Sequence, residues 1–111
     1  MKSDTIFAPS SGNGPAGVAI IRISGTKAGA VLDSLSGLTR PKPRFVKRAS
    51  MFDPETGDAL DEGLVIWFPG PESFTGEDVV ELHIHGGHAT IEAMLRSLSG
   101  FEGCRIAEPG E

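Results

Sequence analysis

Residues 79–85, Val-Val-Glu-Leu-His-Ile-His, alternate with a period of two: Val80, Leu82 and Ile84 share one face, and Glu81, His83 and His85 the other. This is the period of a strand with one buried face. The run 18–23 is richer in branched residues, with Ala19, Ile21 and Ile23 on one side and Val18, Ile20 and Arg22 on the other, so it also reads as a strand. A short apolar run at 5–8 precedes it. Residues 45–52 and 59–68 flank Asp53-Pro54-Glu55-Thr56-Gly57-Asp58, a turn-rich link that predicts an antiparallel hairpin. Within it, Leu64-Val65-Ile66-Trp67-Phe68 is apolar on both faces, which predicts a central strand.

Helical spacing occurs twice. Ala28, Val31, Leu32 and Leu35 follow Ser24-Gly25-Thr26, whose hydroxyls can cap a helix, and Gly37 supplies a stop. Ile91, Met94, Leu95 and Leu98 follow Gly86-Gly87, and Gly100 and Gly103 end that pattern. Residues 104–107 can return as a last strand. The order β-β-α-β-β-β-α-β predicts an α+β fold with a mixed β-sheet and two helices. At 111 residues this is a single domain, residues 1–111.

Composition narrows the class. Fifteen glycines and eight prolines predict many tight turns rather than long helices. A net charge of -5 argues against a domain that grips nucleic acid by itself, because neutralising phosphates needs a basic surface. Five of the ten basic residues do fall between positions 40 and 48, but a single aromatic, Phe45, lies among them and the domain is acidic. A solvated connector and edge strand is the favoured reading. The single cysteine, Cys104, excludes an intrachain disulfide and fits a reducing compartment. With no apolar window of membrane-spanning length and no signal-like N-terminus, a soluble, cytoplasmic domain is expected.

The candidate chemistry gathers around 73–88. A polar, acidic loop, Ser73-Phe74-Thr75-Gly76-Glu77-Asp78, leads into the strand bearing Glu81, His83 and His85, and Gly86-Gly87 opens the second helix. The N–H groups at that helix start can hold an anionic group. Arg22 is the other charged residue embedded in a strong strand. Arginine keeps its charge, so near an interior it needs a carboxylate or an anionic ligand, unless its head group reaches water from an edge. Beside Glu81 it would form a structural ion pair or two sides of a polar pocket for a heterocycle with an amino-amide edge.

Three other motifs compete. Gly12-x-Gly14-x-x-Gly17 has dinucleotide-fingerprint spacing, but a β-branched run follows it where a helix is required, so it reads as a connection between strands. His83, His85 and His88 could form a three-histidine metal site, the basis of an alternative reading as a metal-dependent hydrolase. Against it, His83 reads as solvated and His88 as lying at a helix N-terminus. No Gly-x-x-x-x-Gly-Lys-Ser/Thr is present, so the chain carries no nucleotide P-loop, and no catalytic residue is assigned.

Several motifs occur in a fixed order: Thr5-Ile6-x-Ala8, the glycine loop, Ile21-Arg22-Ile23-Ser24-Gly25, Lys42-Pro43-Arg44, Asp61-x-Gly63, Phe68-Pro69-x-Pro71-x-Ser73-Phe74-Thr75-Gly76-Glu77-Asp78, His85-Gly86-Gly87 and Pro109-Gly110-Glu111. Together they resemble the N-terminal domain of the tRNA modification GTPases of the MnmE (TrmE) family. The resemblance runs from about Asp4 to the last residue. It implies a tetrahydrofolate-binding and homodimerisation domain, binding typically the 5-formyl derivative, with a fold related to folate-binding domains of glycine-cleavage T-proteins. It also implies that Arg22 and Glu81 contact the folate.

The resemblance further implies an N-terminal fragment without catalysis of its own. Family members continue into a segment with another folate-contacting lysine, then into helical and G domains, where GTP, Mg and K bind. With an FAD-dependent partner protein the full-length enzyme modifies the wobble uridine of tRNA, the folate supplying the one-carbon unit. The family often carries Gln-Gly ahead of His-Gly-Gly, where this chain has His83-Ile84. A third reading is a dimerisation module without ligand.

Overall fold

The computed structural model of the chain describes residues 4–9, 17–37, 40–73 and 75–109. The elements are β1 (Thr5–Pro9), β2 (Val18–Ser24), α1 (Ala28–Ser36), β3 (Lys47–Phe52), β4 (Ala59–Phe68), β5 (Val79–His85), α2 (His88–Ser99) and β6 (Cys104–Ile106). Their order is the one the hydrophobic periods predict. The six strands form one sheet in the order β3-β4-β5-β2-β1-β6. The β1–β6 pair is parallel and the other four pairs are antiparallel, so the sheet is mixed.

Both helices cover the same face. Ile21, Ile23, Leu82, Ile84 and Val65 point into it and meet Leu32 and Leu35 of α1 and Met94 and Leu98 of α2 in one buried cluster. The apolar residues of the two helical patterns are the ones that bury, with Ile91 and Leu95 packed at the margin. Among the described residues no helix lies on the opposite face. There Ile20 and Ile66 are half-buried while Val18 and Leu64 are exposed. The strand expected to be central is therefore central only laterally. β4 is paired on both edges, but its second apolar face carries Leu64 and Ile66 without a covering layer.

Two local expectations are corrected. The first turn of α1 is not capped by Ser24 or Thr26. The Lys27 N–H donates instead to Oγ1 of the fully buried Thr5 on β1, at 3.0 Å. Gly25 makes that approach possible, because a side chain there would meet the Thr5 Cα at 2.7 Å. Second, the strand predicted from residue 45 begins at Lys47. Arg44 takes a positive φ of 66° and its N–H donates to the Trp67 carbonyl, which leaves Phe45 and Val46 exposed outside the ladder.

The basic stretch behaves as a solvated edge. β3 is an edge strand, and Arg40, Arg44 and Arg48 reach Asp33, Glu72 and Glu62 respectively. Gly12 and Gly14 of the glycine motif lie outside the described residues. Gly17 sits just before β2, which pairs with β1 as the strand–connection–strand reading requires.

Gly63 leaves no room for a side chain against β5, since a Cβ there would lie 2.2 Å from the His83 carbonyl oxygen. Gly63→Ala is expected to destabilise the chain by about 1–3 kcal/mol, because a backbone atom cannot yield as a side chain can. Gly17→Ala, facing open space, should stay within about 0.5 kcal/mol of the parent. Urea unfolding of the two variants checks both.

Candidate functional site

Antiparallel pairing of β2 with β5 sets Arg22 directly opposite Glu81. The same register continues outward, placing Ala8 beside Arg22 and Ile66 beside Glu81, so the charged pair sits within one row crossing the open face. Alternation along each strand forces this outcome. If Ile21, Ile23, Val80 and Leu82 face the helices, Arg22 and Glu81 must face away.

The pair is tight and unequally exposed. Oε2 of Glu81 accepts from Nη2 of Arg22 at 2.7 Å and from Nε at 3.2 Å. The Glu81 side chain is 9% exposed and that of Arg22 36%. Arg22 therefore lies between the two sequence readings, at the open face of the sheet rather than in its interior, with a carboxylate partner. Oε1 of Glu81 faces Nε2 of His83 at 3.0 Å. His83, expected to be solvated, is instead part of the site with a side chain 23% exposed. The signal for it was the i, i+2 spacing from Glu81, which puts both side chains on one strand face.

Burial pushes the Glu81 carboxyl up, but the hydrogen bonds from His83 and Arg22 and the guanidinium charge outweigh it and hold the group below its ordinary range. Glu81 is thus an ionised carboxylate, an acceptor only, at neutral pH. What the arrangement can do follows from its donors and acceptors. A fixed guanidinium fork and a fixed carboxylate, both reachable from one side, match a planar ligand that offers adjacent N–H donors and a nearby acceptor.

The neighbouring loop is held by its own polar residues. Oδ1 of Asp78 accepts from the Gly70 N–H at 2.9 Å, and Gly76 and Glu77 donate backbone N–H groups to Oγ of Ser73 and Oγ1 of Thr75. Ser24 at the end of β2 bonds Oγ1 of Thr75 at 2.8 Å, and the Gly25 N–H donates to the Asp78 carbonyl. These bonds fasten the loop to β2 two residues along the strand from Arg22. Asp78 serves this fastening, and no base-and-nucleophile pair forms within the loop.

The three histidines part company. His83 pairs with Glu81, His85 with Asp61 and His88 with Glu92 one turn along α2. Among the described residues no three His, Cys, Asp or Glu side chains come together to hold a metal ion. This corrects the alternative metal-dependent hydrolase reading of His83, His85 and His88. Strand alternation puts His83 and His85 about two residues apart along one strand, while His88 leaves on the helix beyond Gly86-Gly87.

One pairing escaped the sequence reading. Asp61, at the start of β4, accepts from the His85 backbone N–H at 2.8 Å, and its other oxygen meets Nδ1 of the same residue at 2.7 Å. Burial pushes the Asp61 carboxyl up, and these bonds pull it down further, leaving it below the ordinary range. Only the β4–β5 register brings residues 61 and 85 together, so no local spacing announces the pair. A shallow cavity of about 260 Å³ lies beside it, bordered by Val18, Glu62, Leu64, His83 and His85. A second cavity, about 380 Å³, lies between the 53–56 turn and α2, away from Arg22 and Glu81. Its Asp53 is committed to the Ser97 hydroxyl at 2.6 Å, a structural link.

The depressed Glu81 group ties stability to pH. Its contribution is complete above the carboxyl value of the unfolded chain, about 4.3, and is lost as pH falls through the lower folded value. Melting temperatures recorded between pH 6 and pH 2.5 should fall in that acid window. For Glu81→Gln the fall should be shallower than for the parent.

The family described as GTP-binding protein TrmE N-terminus matches residues 5–111. The tRNA modification GTPase MnmE of Beijerinckia indica is 56% identical over 108 residues, covering 97% of this chain and 24% of that protein. The proteins of the same name from Parvibaculum lavamentivorans and Methylobacterium radiotolerans are 55% and 52% identical, covering 97% and 98% of this chain and 25% and 24% of theirs. The chain spans about a quarter of the length of the curated relatives it matches. A match over nearly every residue, at more than half identity, assigns this chain to the TrmE N-terminal family, the family of the tRNA modification GTPase MnmE.

Proposed function

We propose that the chain binds a reduced folate, 5-formyltetrahydrofolate, through Arg22 and Glu81, and associates with a second copy of itself. The observation that carries this reading is the Arg22–Glu81 fork, fixed across two paired strands on the face that no helix covers. A pterin ring offers an amino-amide edge with adjacent N–H donors, and an ionised carboxylate is the acceptor such an edge needs. Arg22 orients that carboxylate and brings a positive charge to the polar end of the ligand. The 73–78 loop, fastened at Ser24, would wall the pocket at one end. When bound, the folate would supply a one-carbon unit. The chain's own residues bind and orient it and perform no chemical step.

Homodimerisation is supported by the apolar open face, where Val18 and Leu64 are exposed beside half-buried Ile20 and Ile66. As part of a longer protein like its relatives, the domain would serve a cytoplasmic GTPase that modifies the wobble uridine of tRNA. GTP, Mg and K would belong to a separate G domain, and an FAD-dependent protein would act as partner. On this reading the fold is related to the folate-binding domains of glycine-cleavage T-proteins. The relatives' name speaks for tRNA modification and GTPase activity in those proteins. No helix among the described residues is long and apolar enough to cross a membrane.

Calorimetric titration with 5-formyltetrahydrofolate tests the binding. The parent should bind, and Glu81→Ala should weaken binding by at least about tenfold, the loss of charge-assisted hydrogen bonds. Sedimentation should give a dimer. A dimeric protein that carries the segment following residue 111 in the relatives and still gives no heat of binding would overturn the reading.

A further inference from the structure

Arg44 stands where a glycine would be the relaxed choice. The Phe45 N–H donates to the Lys42 carbonyl at 3.1 Å, closing a turn with Pro43 at its second position and Arg44, at φ 66°, at its third. That is the pattern of a type II turn, whose third position needs a positive φ and normally takes glycine or asparagine. The Arg44 N–H is held as well, by the Trp67 carbonyl at 2.8 Å. A long charged side chain kept at such a position points to a use for the side chain, since the backbone alone would be better served by glycine.

The guanidinium is aimed and mostly unengaged. It donates through Nη2 to the Glu72 carbonyl, one of the five N–H groups a guanidinium offers, and among the described residues no other acceptor takes one. The Glu72 carboxylate stands 3.7 Å away at 84% exposure, beyond hydrogen-bond reach. With Phe68, Glu72 and Ser73, Arg44 lines a shallow recess of about 290 Å³. Phe68 joins that recess to the Arg22–Glu81 fork. It follows Ile66 on the open side of β4, and Ile66 is paired with Glu81, so Phe68 lies one strand across and two residues along from Glu81. Those offsets amount to about 8 Å between backbone positions.

Resting on the reading that Arg22 and Glu81 hold the pterin of a reduced folate, we propose that Arg44 binds a carboxylate of the glutamate at the ligand's other end. A folate is a pterin joined through a methylene arm to a benzoyl ring and then to glutamate, whose carboxylates are ionised at neutral pH. The pterin and its arm span the offset from Glu81, the benzoyl ring passes over Phe68, and a carboxylate meets the open N–H fork of Arg44. The recess is thus the anion end of a site whose other end reads N–H donors. The incoming carboxylate displaces no protein hydrogen bond, because the Glu72 carboxylate already stands in solvent and the Glu72 carbonyl keeps its own donor.

The test is calorimetric titration of the parent and of Arg44→Gly with 5-formyltetrahydrofolate and with its dimethyl ester, in which both glutamate carboxylates are uncharged. Glycine suits the turn, so this variant keeps the backbone while removing the guanidinium. The parent should bind the free acid about three- to tenfold more tightly than the ester, and Arg44→Gly should bind the two within about twofold of each other. The parent's preference should shrink between about 50 and 500 mM salt, as paired charges near solvent require. A parent that binds acid and ester alike, a preference that survives in Arg44→Gly, or one that salt leaves unchanged overturns the proposal and leaves folate binding intact. Loss of ester binding in Arg44→Gly overturns it too, by making Arg44 a support of the whole pocket. A parent that binds neither ligand overturns the folate reading and this proposal with it.

Discussion

The antiparallel pairing of β2 with β5 is the constraint on which the rest of this domain depends. It buries Ile21, Ile23, Leu82 and Ile84 together beneath the helices, and by the same alternation it turns Arg22 and Glu81 outward into register. A slip of one residue would turn the slipped strand over and bring its charged residue under the helices. The hydrophobic core and the polar site are thus one decision made twice, and the burial of the aliphatic row is what holds the charged row in place.

A sheet covered on one face only explains the rest of the site. Glu81 is nearly buried without being in the core, because the side chains of its own face and the Arg22 and His83 groups shield it. Burial opposes its charge, and the donors on both oxygens more than offset that opposition, so it remains an ionised acceptor. Because Arg22 is 36% exposed, solvent screening discounts what the pair contributes to stability. Its geometry is a fork fixed on two strands with an imidazole at the second oxygen.

The periphery is built to keep that geometry still. The 73–78 loop is tied to β2 through Ser24, and Asp78 spends its carboxylate on the Gly70 N–H. Asp61 clamps the far end of β5 through both the backbone and the ring of His85. Gly63 lets β4 come close enough to carry this clamp. The polar residues Glu77, Asp78, His85 and His88 are engaged in local or cross-strand pairing, while Arg22, Glu81 and His83 pair with one another on the open face.

Periodicity, with turn residues and short apolar runs, determined the eight elements and their order. Periodicity gave the buried faces of both helices and the side of each strand on which Arg22, Glu81 and His83 lie, because those faces repeat every two or 3.6 residues. The helix stop at Gly37 was equally legible, since its left-handed backbone is a local property. Only the tertiary structure decided which strands are neighbours, and so that Arg22 meets Glu81 across 59 positions of sequence, that Thr5 rather than Ser24 caps α1, and that Asp61 receives His85. It also decided that β4 has an open face, which an apolar run on both sides concealed. Pairing partners and layers are set by contacts between residues far apart in the chain, and no local spacing carries that information.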